Sequence, residues 1–256
     1  MRFVLMTEPQ QGMTYTDQLA AARRAEANGL EAYFRSDHFA SFPGPEGKPT
    51  TDAWTVLAGL ARETERIGLG VLVSPVTFRH PGVLAKVAIT VDEMSGGRVE
   101  VGIGAGWFGE EHARHGIPFP EPIAFRYDWL EEYLAVVHGL WTEPDGWDFD
   151  GLHWQVRDAV FRPRPTFSGR RHPHLILGGD GLPRQARLVA QWADEFNRSS
   201  ATPAGPRRFG SSASNCRRGI SSMPTPSSGR SPGARTCFTS PRCTVRRSTA
   251  IKCIAT

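Results

Sequence analysis

Acidic side chains are absent from residues 201–256, although that stretch carries ten basic ones. Cysteine is absent from residues 1–215, and Cys216, Cys237, Cys243 and Cys253 form no Cys-x-x-Cys pair. Their spacing matches no zinc pattern, and no metal site is expected. No apolar run approaches the roughly 18 residues of a membrane-spanning helix, so no membrane span is expected. The N-terminal run Phe3-Val4-Leu5-Met6 is broken by Thr7-Glu8-Pro9, too early for a signal-peptide core. A cytoplasmic location is the expectation. There is no Gly-x-x-x-x-Gly-Lys-Ser/Thr loop, which disfavours a P-loop ATPase, and no Gly-x-Ser-x-Gly elbow.

What is present falls into two unlike parts. Residues 1–200 hold 20 basic and 26 acidic side chains, a net of −6, whereas the whole 256-residue chain has a net of +4. The first part is an acidic, aromatic-rich body. The second is a basic strip whose composition is dominated by Ser, Thr, Pro and Gly, with no strand or helix period. Such a segment does not easily repay its ordering entropy. Its arginines can attract phosphate non-specifically. No folded nucleic-acid motif accompanies them, however, so no nucleic-acid partner is expected.

The body reads as alternating strands and helices. Residues 3–6 form strand one. A helix follows, capped by Thr14 or Thr16, favoured by Asp17 and closed by Gly29. Strand two is 31–35, leading into Ser36-Asp37-His38-Phe39. Thr51 or Asp52 caps the next helix, whose buried stripe is Trp54, Leu57, Leu60 and Ala61. Strand three is 67–73. Pro81 opens a helix with Leu84, Val87, Ala88, Val91 and Met94 on one face, and Gly96-Gly97 stops it. Strand four is 98–103. A helix over 125–141 places Phe125, Trp129, Tyr133, Val137 and Leu140 together. Residues 147–165 read as an inserted hairpin. Strand five is 174–177, Pro183 begins a helix, and 194–197 begins strand six. Repeated βα steps of this kind imply a mostly parallel sheet covered by helices. Polar or glycine-rich residues directly after strands two to five favour a barrel over an open sheet.

Five features are candidates for chemistry. His38 can hydrogen-bond a bound ring or transfer a proton, and Asp37 can orient it. Gly102-x-Gly104-x-Gly106 lacks dinucleotide-fold spacing, so its glycines instead admit a planar ligand or a neighbouring element. Gly178-Gly179-Asp180-Gly181 joins a strand to a helix, where successive backbone N–H groups can cradle a phosphate. Asp180 would oppose that anion unless it faced away. His112 and His115 lie three apart without a compelling third ligand. The stretch of Arg162, Arg164, Arg170, Arg171 and His172 is a solvated loop or an aid to binding an anionic cofactor.

Taken in order, several segments resemble one family. They are Ser36-Asp37-His38-Phe39, Gly68 to Pro75, Phe78-Arg79-His80-Pro81, Ser95-Gly96-Gly97-Arg98, Gly102 to Trp107 and Gly178 to Gly181. Residues 1–198 resemble the luciferase-like flavin monooxygenase superfamily, in particular its branch dependent on the deazaflavin coenzyme F420. The resemblance implies a TIM-type (β/α)8 barrel, here incomplete with about six strands, and an insertion near its mouth. It implies a cofactor over the C-terminal strand ends and a non-proline cis peptide at Leu72-Val73. Asp37 and His38 match residues near the deazaflavin ring and are the expected catalytic pair. Leu72, Val73, Ser74, Gly106 and Trp107 are expected beside the cofactor, with Gly178, Gly179 and Gly181 on its phosphate side. The implied reaction is hydride transfer between C5 of F420 and an unknown small organic substrate. An FMN-dependent monooxygenase is the alternative. Trp107 stands where some F420-dependent dehydrogenases carry a glutamate, a departure from that subgroup. A homodimer is expected if the barrel is intact.

The resemblance stops near Arg198, where more βα units should follow. Residues 199–256 are therefore expected to be a disordered basic extension or the product of a shifted reading frame. On that reading the chain is a truncated form, and a catalytically inactive remnant is the third alternative.

Overall fold

The computed structural model describes residues 2–44, 46–165, 169–181 and 183–198, together with the backbone of 252–255. Its strands are β1 (Phe3–Thr7), β2 (Ala32–Arg35), β3 (Gly68–Pro75), β4 (Val99–Gly104), β5 (Trp147–Asp150), β6 (Gln155–Ala159), β7 (His174–Gly179), β8 (Glu195–Arg198) and β9 (Lys252–Ala255). Its helices are α1 (Tyr15–Ala27), α2 (Ala53–Glu63), α3 (Pro81–Ser95), α4 (Gly109–Arg114), α5 (Ile123–Thr142) and α6 (Pro183–Trp192). The main sheet is wholly parallel, in the order β8-β7-β4-β3-β2-β1-β9. β5 and β6 form the separate antiparallel hairpin expected from the sequence.

The helix starts follow local chemistry. Thr14 and Asp17 form a reciprocal capping box on α1: Asp17 N–H donates to the Thr14 hydroxyl at 3.2 Å, and Thr14 N–H donates to Asp17 at 2.9 Å. Asp52 caps α2 by accepting from Thr55 N–H at 2.8 Å. Pro81 occupies the first turn of α3, and Gly96 ends that helix at φ +71°. On α5 the buried stripe is Leu130, Tyr133, Leu134, Val137 and Trp141. Phe125, expected on that face, is 51% exposed. The helix begins at Ile123, and in its first turn the buried side chain is Arg126, one position on from Phe125.

Side chains alternate across the strands and line two separate cores. On β4, Val99, Val101 and Ile103 join the large outer core between sheet and helices. Val4, Ala32, Phe34 and Ile176 form a second, inner cluster, with Met6 and Leu72 packed against it. Arg2, just before β1, donates to Glu100 of β4 at 2.7 Å and lies 3.6 Å from Glu195 of β8. β1 and β8 are five strands apart in the sheet. If the sheet were flat, they would stand about 24 Å apart. The sheet is therefore strongly curled, a parallel half-barrel of six strands with β9 added beside β1.

β9 is a strand that the sequence does not announce. An open strand edge offers unpaired backbone donors and acceptors, which a short extended segment can meet regardless of its composition. The remainder of the expected tail, 199–251 and 256, lies outside the described residues. Among the described residues, no helix is long and apolar enough to cross a membrane.

Candidate functional site

The C-terminal ends of β2, β3, β4 and β7 bring the expected residues to one mouth. Asp37 and His38 follow β2, Ser74 is next to last in β3, Gly106 and Trp107 follow β4, and Gly178 and Gly179 end β7. The Leu72–Val73 peptide is cis, and the β3–β4 register shifts between Val71 and Ser74.

Asp37 and His38 are adjacent in sequence but work apart. The Asp37 carboxylate is buried and accepts from the Ser74 hydroxyl at 2.8 Å. Arg79 donates to both of its oxygens, at 2.5 and 3.3 Å, and also bonds Asp52. The Trp54 indole N–H donates to Ser74 Oγ at 3.0 Å. Burial opposes the Arg79 charge, but Asp37 and Asp52 outweigh it and raise its pKa. Asp37 thus braces the end of β3 from below. The expectation that it orients His38 is corrected: both of its oxygens are held by Ser74 and Arg79.

The group that meets His38 is Glu111, on α4. His38 Nδ1 lies 2.9 Å from Glu111 Oε2. The other carboxylate oxygen accepts from the backbone N–H groups of Phe39 at 2.5 Å and Ala40 at 2.7 Å. Glu111 is fully buried. Burial alone would raise its pKa, but the hydrogen bonds from His38 and from the Ala40 and Phe39 amides hold it below the ordinary carboxylate range. His38 Nε2 makes no hydrogen bond among the described residues, and the side chain is 15% exposed. No spacing pattern exposes this pair, since 73 residues separate its members. The only local signal is a pair of acidic residues in the first turn of a helix that follows a strand end.

Aromatic rings surround the imidazole. Phe42 meets His38 edge-on at 4.4 Å between centroids, and Trp107 lies at 6.1 Å. Trp107 stacks on Phe108 at 5.2 Å and meets Phe42 at 5.4 Å. It is also 65% exposed, unusual for so large an apolar side chain. Phe42 and Phe108 belong to this wall, although sequence reasoning did not single them out.

The glycines have a steric role. A Cβ at Gly104 would meet Val73 Cγ2 at 2.7 Å, and one at Gly178 would meet Val73 Cγ1 at 2.8 Å. One at Gly102 would strike the Val71 carbonyl. The Gly102-x-Gly104 motif and Gly178 therefore make room for the end of β3 and for the Val73 side chain. Gly106, at φ +78°, supplies the left-handed turn that leads to Trp107. Beyond β7, the buried Gln185 folds back onto the glycine loop. It accepts from Gly181 N–H at 2.8 Å and donates to the Gly178 carbonyl at 2.6 Å. The side chain also lies against Gly179. Asp180 is exposed. One backbone donor of the expected phosphate cradle is thus already engaged.

The remaining candidates have structural partners. His112 Nδ1 faces the Phe108 carbonyl at 2.8 Å and Nε2 faces the Thr77 hydroxyl at 2.6 Å. Burial lowers the His112 pKa and favours the neutral ring. His115 bonds the Glu111 carbonyl. Arg162 and Arg164 pair with Asp145.

Comparison with known proteins gives a consistent picture. The profile of the luciferase-like monooxygenase family matches residues 1–215. Pyrimidine monooxygenase RutA of Allorhizobium ampelinum is 30% identical over 192 residues, covering 73% of this chain and 50% of the relative. An uncharacterized protein of Mycobacterium tuberculosis is 30% identical over 190 residues, covering 68% of this chain and 64% of the relative. The chain thus spans about half to just under two thirds of the length of these relatives. An F420-dependent secondary alcohol dehydrogenase, solved with an F420-acetone adduct, shares the fold with TM-score 0.67 and 23% identity, over 77% of this chain and 57% of that one. A type II Baeyer–Villiger monooxygenase of Pseudomonas putida, solved with FMN, does so with TM-score 0.58 and 18% identity, over 74% and 55%.

Proposed function

The chain belongs to the luciferase-like monooxygenase family, and on that premise we propose that it is an oxidoreductase that binds coenzyme F420 across its strand-end mouth. The observation that carries this reading is His38: one ring nitrogen is held by Glu111 and the other is open, beside an exposed indole. An imidazole so placed can hydrogen-bond a planar cofactor or exchange a proton with substrate at Nε2. When bound, the deazaflavin supplies hydride transfer at its C5; the protein supplies orientation and electrostatics.

The residues at the mouth fit such a group. Trp107 and Phe42 give flat apolar surface, and Val73, seated in its glycine cradle, and Ser74, fixed by Asp37 and Trp54, form the end of β3. Leu72 belongs to the layer beneath. At the phosphate end, Gly178, Gly179 and Gly181 would offer donors other than the Gly181 N–H already bonded to Gln185. The aromatic wall would exclude water and favour a planar or apolar organic substrate.

An FMN-dependent monooxygenase is the second reading, favoured by the monooxygenase named among the relatives. Absorbance and fluorescence titrations of the full chain with both cofactors separate the two. F420 binding at least about tenfold tighter than FMN, a gap of about 1.4 kcal/mol, is expected. The opposite order selects the FMN reading. Saturation by neither selects the inactive remnant.

A further inference from the structure

We propose that Glu111 is a positioning residue that keeps the proton of His38 on Nδ1, so that Nε2 meets the mouth as an acceptor. The inference rests on the reading of the mouth as the working site, but its geometry stands without any cofactor. An ionised carboxylate can only accept hydrogen bonds. At 2.9 Å from Glu111 Oε2, the Nδ1 atom must therefore carry the proton. Free imidazole favours the other tautomer, with the proton on Nε2, so the carboxylate reverses the ordinary preference.

The division of labour between the two Glu111 oxygens makes the arrangement directional. Oε1 takes the Phe39 and Ala40 amides, and Oε2 takes the imidazole. The amides fix the carboxylate in place on the loop that bears His38. The carboxylate in turn fixes the ring. Because α4 follows directly after Trp107 and Phe108, one side chain ties the loop after β2 to the loop after β4, the two walls of the mouth. Asp37, the sequence neighbour of His38, makes no such contact and leaves Glu111 as the group that sets the tautomer.

Glu111→Gln inverts the arrangement without removing it. The side-chain carbonyl would keep the two backbone amides, and the NH2 group would then face His38 Nδ1. Two donors cannot share one hydrogen bond, so Nδ1 must become the acceptor and the proton must move to Nε2. The test is long-range 1H–15N NMR on the full chain with labelled histidine, without cofactor, at pH 8.5, with His38 assigned through His38→Gln. The unaltered chain is expected to show a protonated Nδ1 at His38, and Glu111→Gln a bare Nδ1 with a protonated Nε2. A bare Nδ1 in the unaltered chain overturns the proposal, even if the variant does not fold. An unchanged pattern in a folded Glu111→Gln also overturns it. A failure to bind F420 would sink the cofactor reading while leaving this result intact. If both hold, F420 affinity of Glu111→Gln should fall at least about tenfold, because Nε2 now donates instead of accepting.

Discussion

The two ends of the half-barrel both carry carboxylates beside a histidine, yet they differ in what they leave open. At the N-terminal end, Arg2 is hydrogen-bonded to Glu100 and close to Glu195, and His174 bonds Glu195 at 3.1 Å and Arg170 at 2.9 Å. Glu100, His174 and Glu195 even bring ligand atoms within 4.8 Å of one another. The guanidinium of Arg2 stands among them and supplies the positive charge. At the C-terminal end, Glu111 holds only one side of His38, and the neighbouring Trp107 projects outward. On the crowded floor, Glu100 and Glu195 share Arg2, Glu195 also has His174 as a partner, and one Glu195 oxygen, Oε1, is buried without a hydrogen bond among the described residues. The mouth keeps an open nitrogen and an exposed aromatic ring. What sets the mouth apart is an open ring nitrogen beside exposed aromatic surface, where a ligand can reach it, more than how many charges gather there. Parallel barrels place their chemistry at the same end.

The largest effect should come from the brace beneath the mouth. Asp37→Ala leaves the mostly buried Arg79 with Asp52 as its remaining carboxylate partner. A loss of about 3–5 kcal/mol in denaturant unfolding is expected, as for other broken buried pairs. A loss below about 1 kcal/mol would show that the brace is dispensable. On the floor, Glu100→Ala removes the main partner of Arg2 and should cost about 1–3 kcal/mol while leaving cofactor affinity unchanged. A matching fall in affinity would erase the distinction between the two ends. Trp107→Ala should do the reverse: stability within about 0.5 kcal/mol, but affinity for the bound cofactor reduced about tenfold. The smallest effect concerns pH. His112 has a depressed pKa because burial penalises its charged form, so the unfolded chain takes up the proton first as pH falls. Stability contributed by the neutral ring is present above about pH 6.5, the ordinary histidine value, and declines as pH falls from there toward the folded pKa. Urea midpoints between pH 5 and 8 should show that decline, and His112→Gln should make it shallower, the rest coming from His80 and His138, whose pKa values burial also lowers.

The parts legible in the sequence were those written in short range. Thr14 with Asp17, Asp52 with Thr55, and Pro81 with Gly96 each mark a helix boundary within a few residues. Six parallel strands and the hairpin followed from the same local signals. The mouth was visible as a set of strand-end residues, but its wiring was not. Glu111 reaches His38 across 73 positions, and Arg79 reaches Asp37 across 42. Such pairs are created by the order of strands in the sheet, which no local pattern encodes. The glycines were visible too, yet their main neighbour proved to be Val73, a side chain of the same chain. At the start of α5 the buried position is Arg126 and not Phe125, because periodicity sets the spacing of a face but not which neighbouring face is covered.

The most direct test of the central claim follows all histidine rings at once while F420 is added to the 15N-histidine-labelled full chain. The His38 ring signals should shift with saturation while those of His174 stay fixed. Movement of His174 with an unmoved His38 would place the ligand at the wrong end of the strands and contradict that claim.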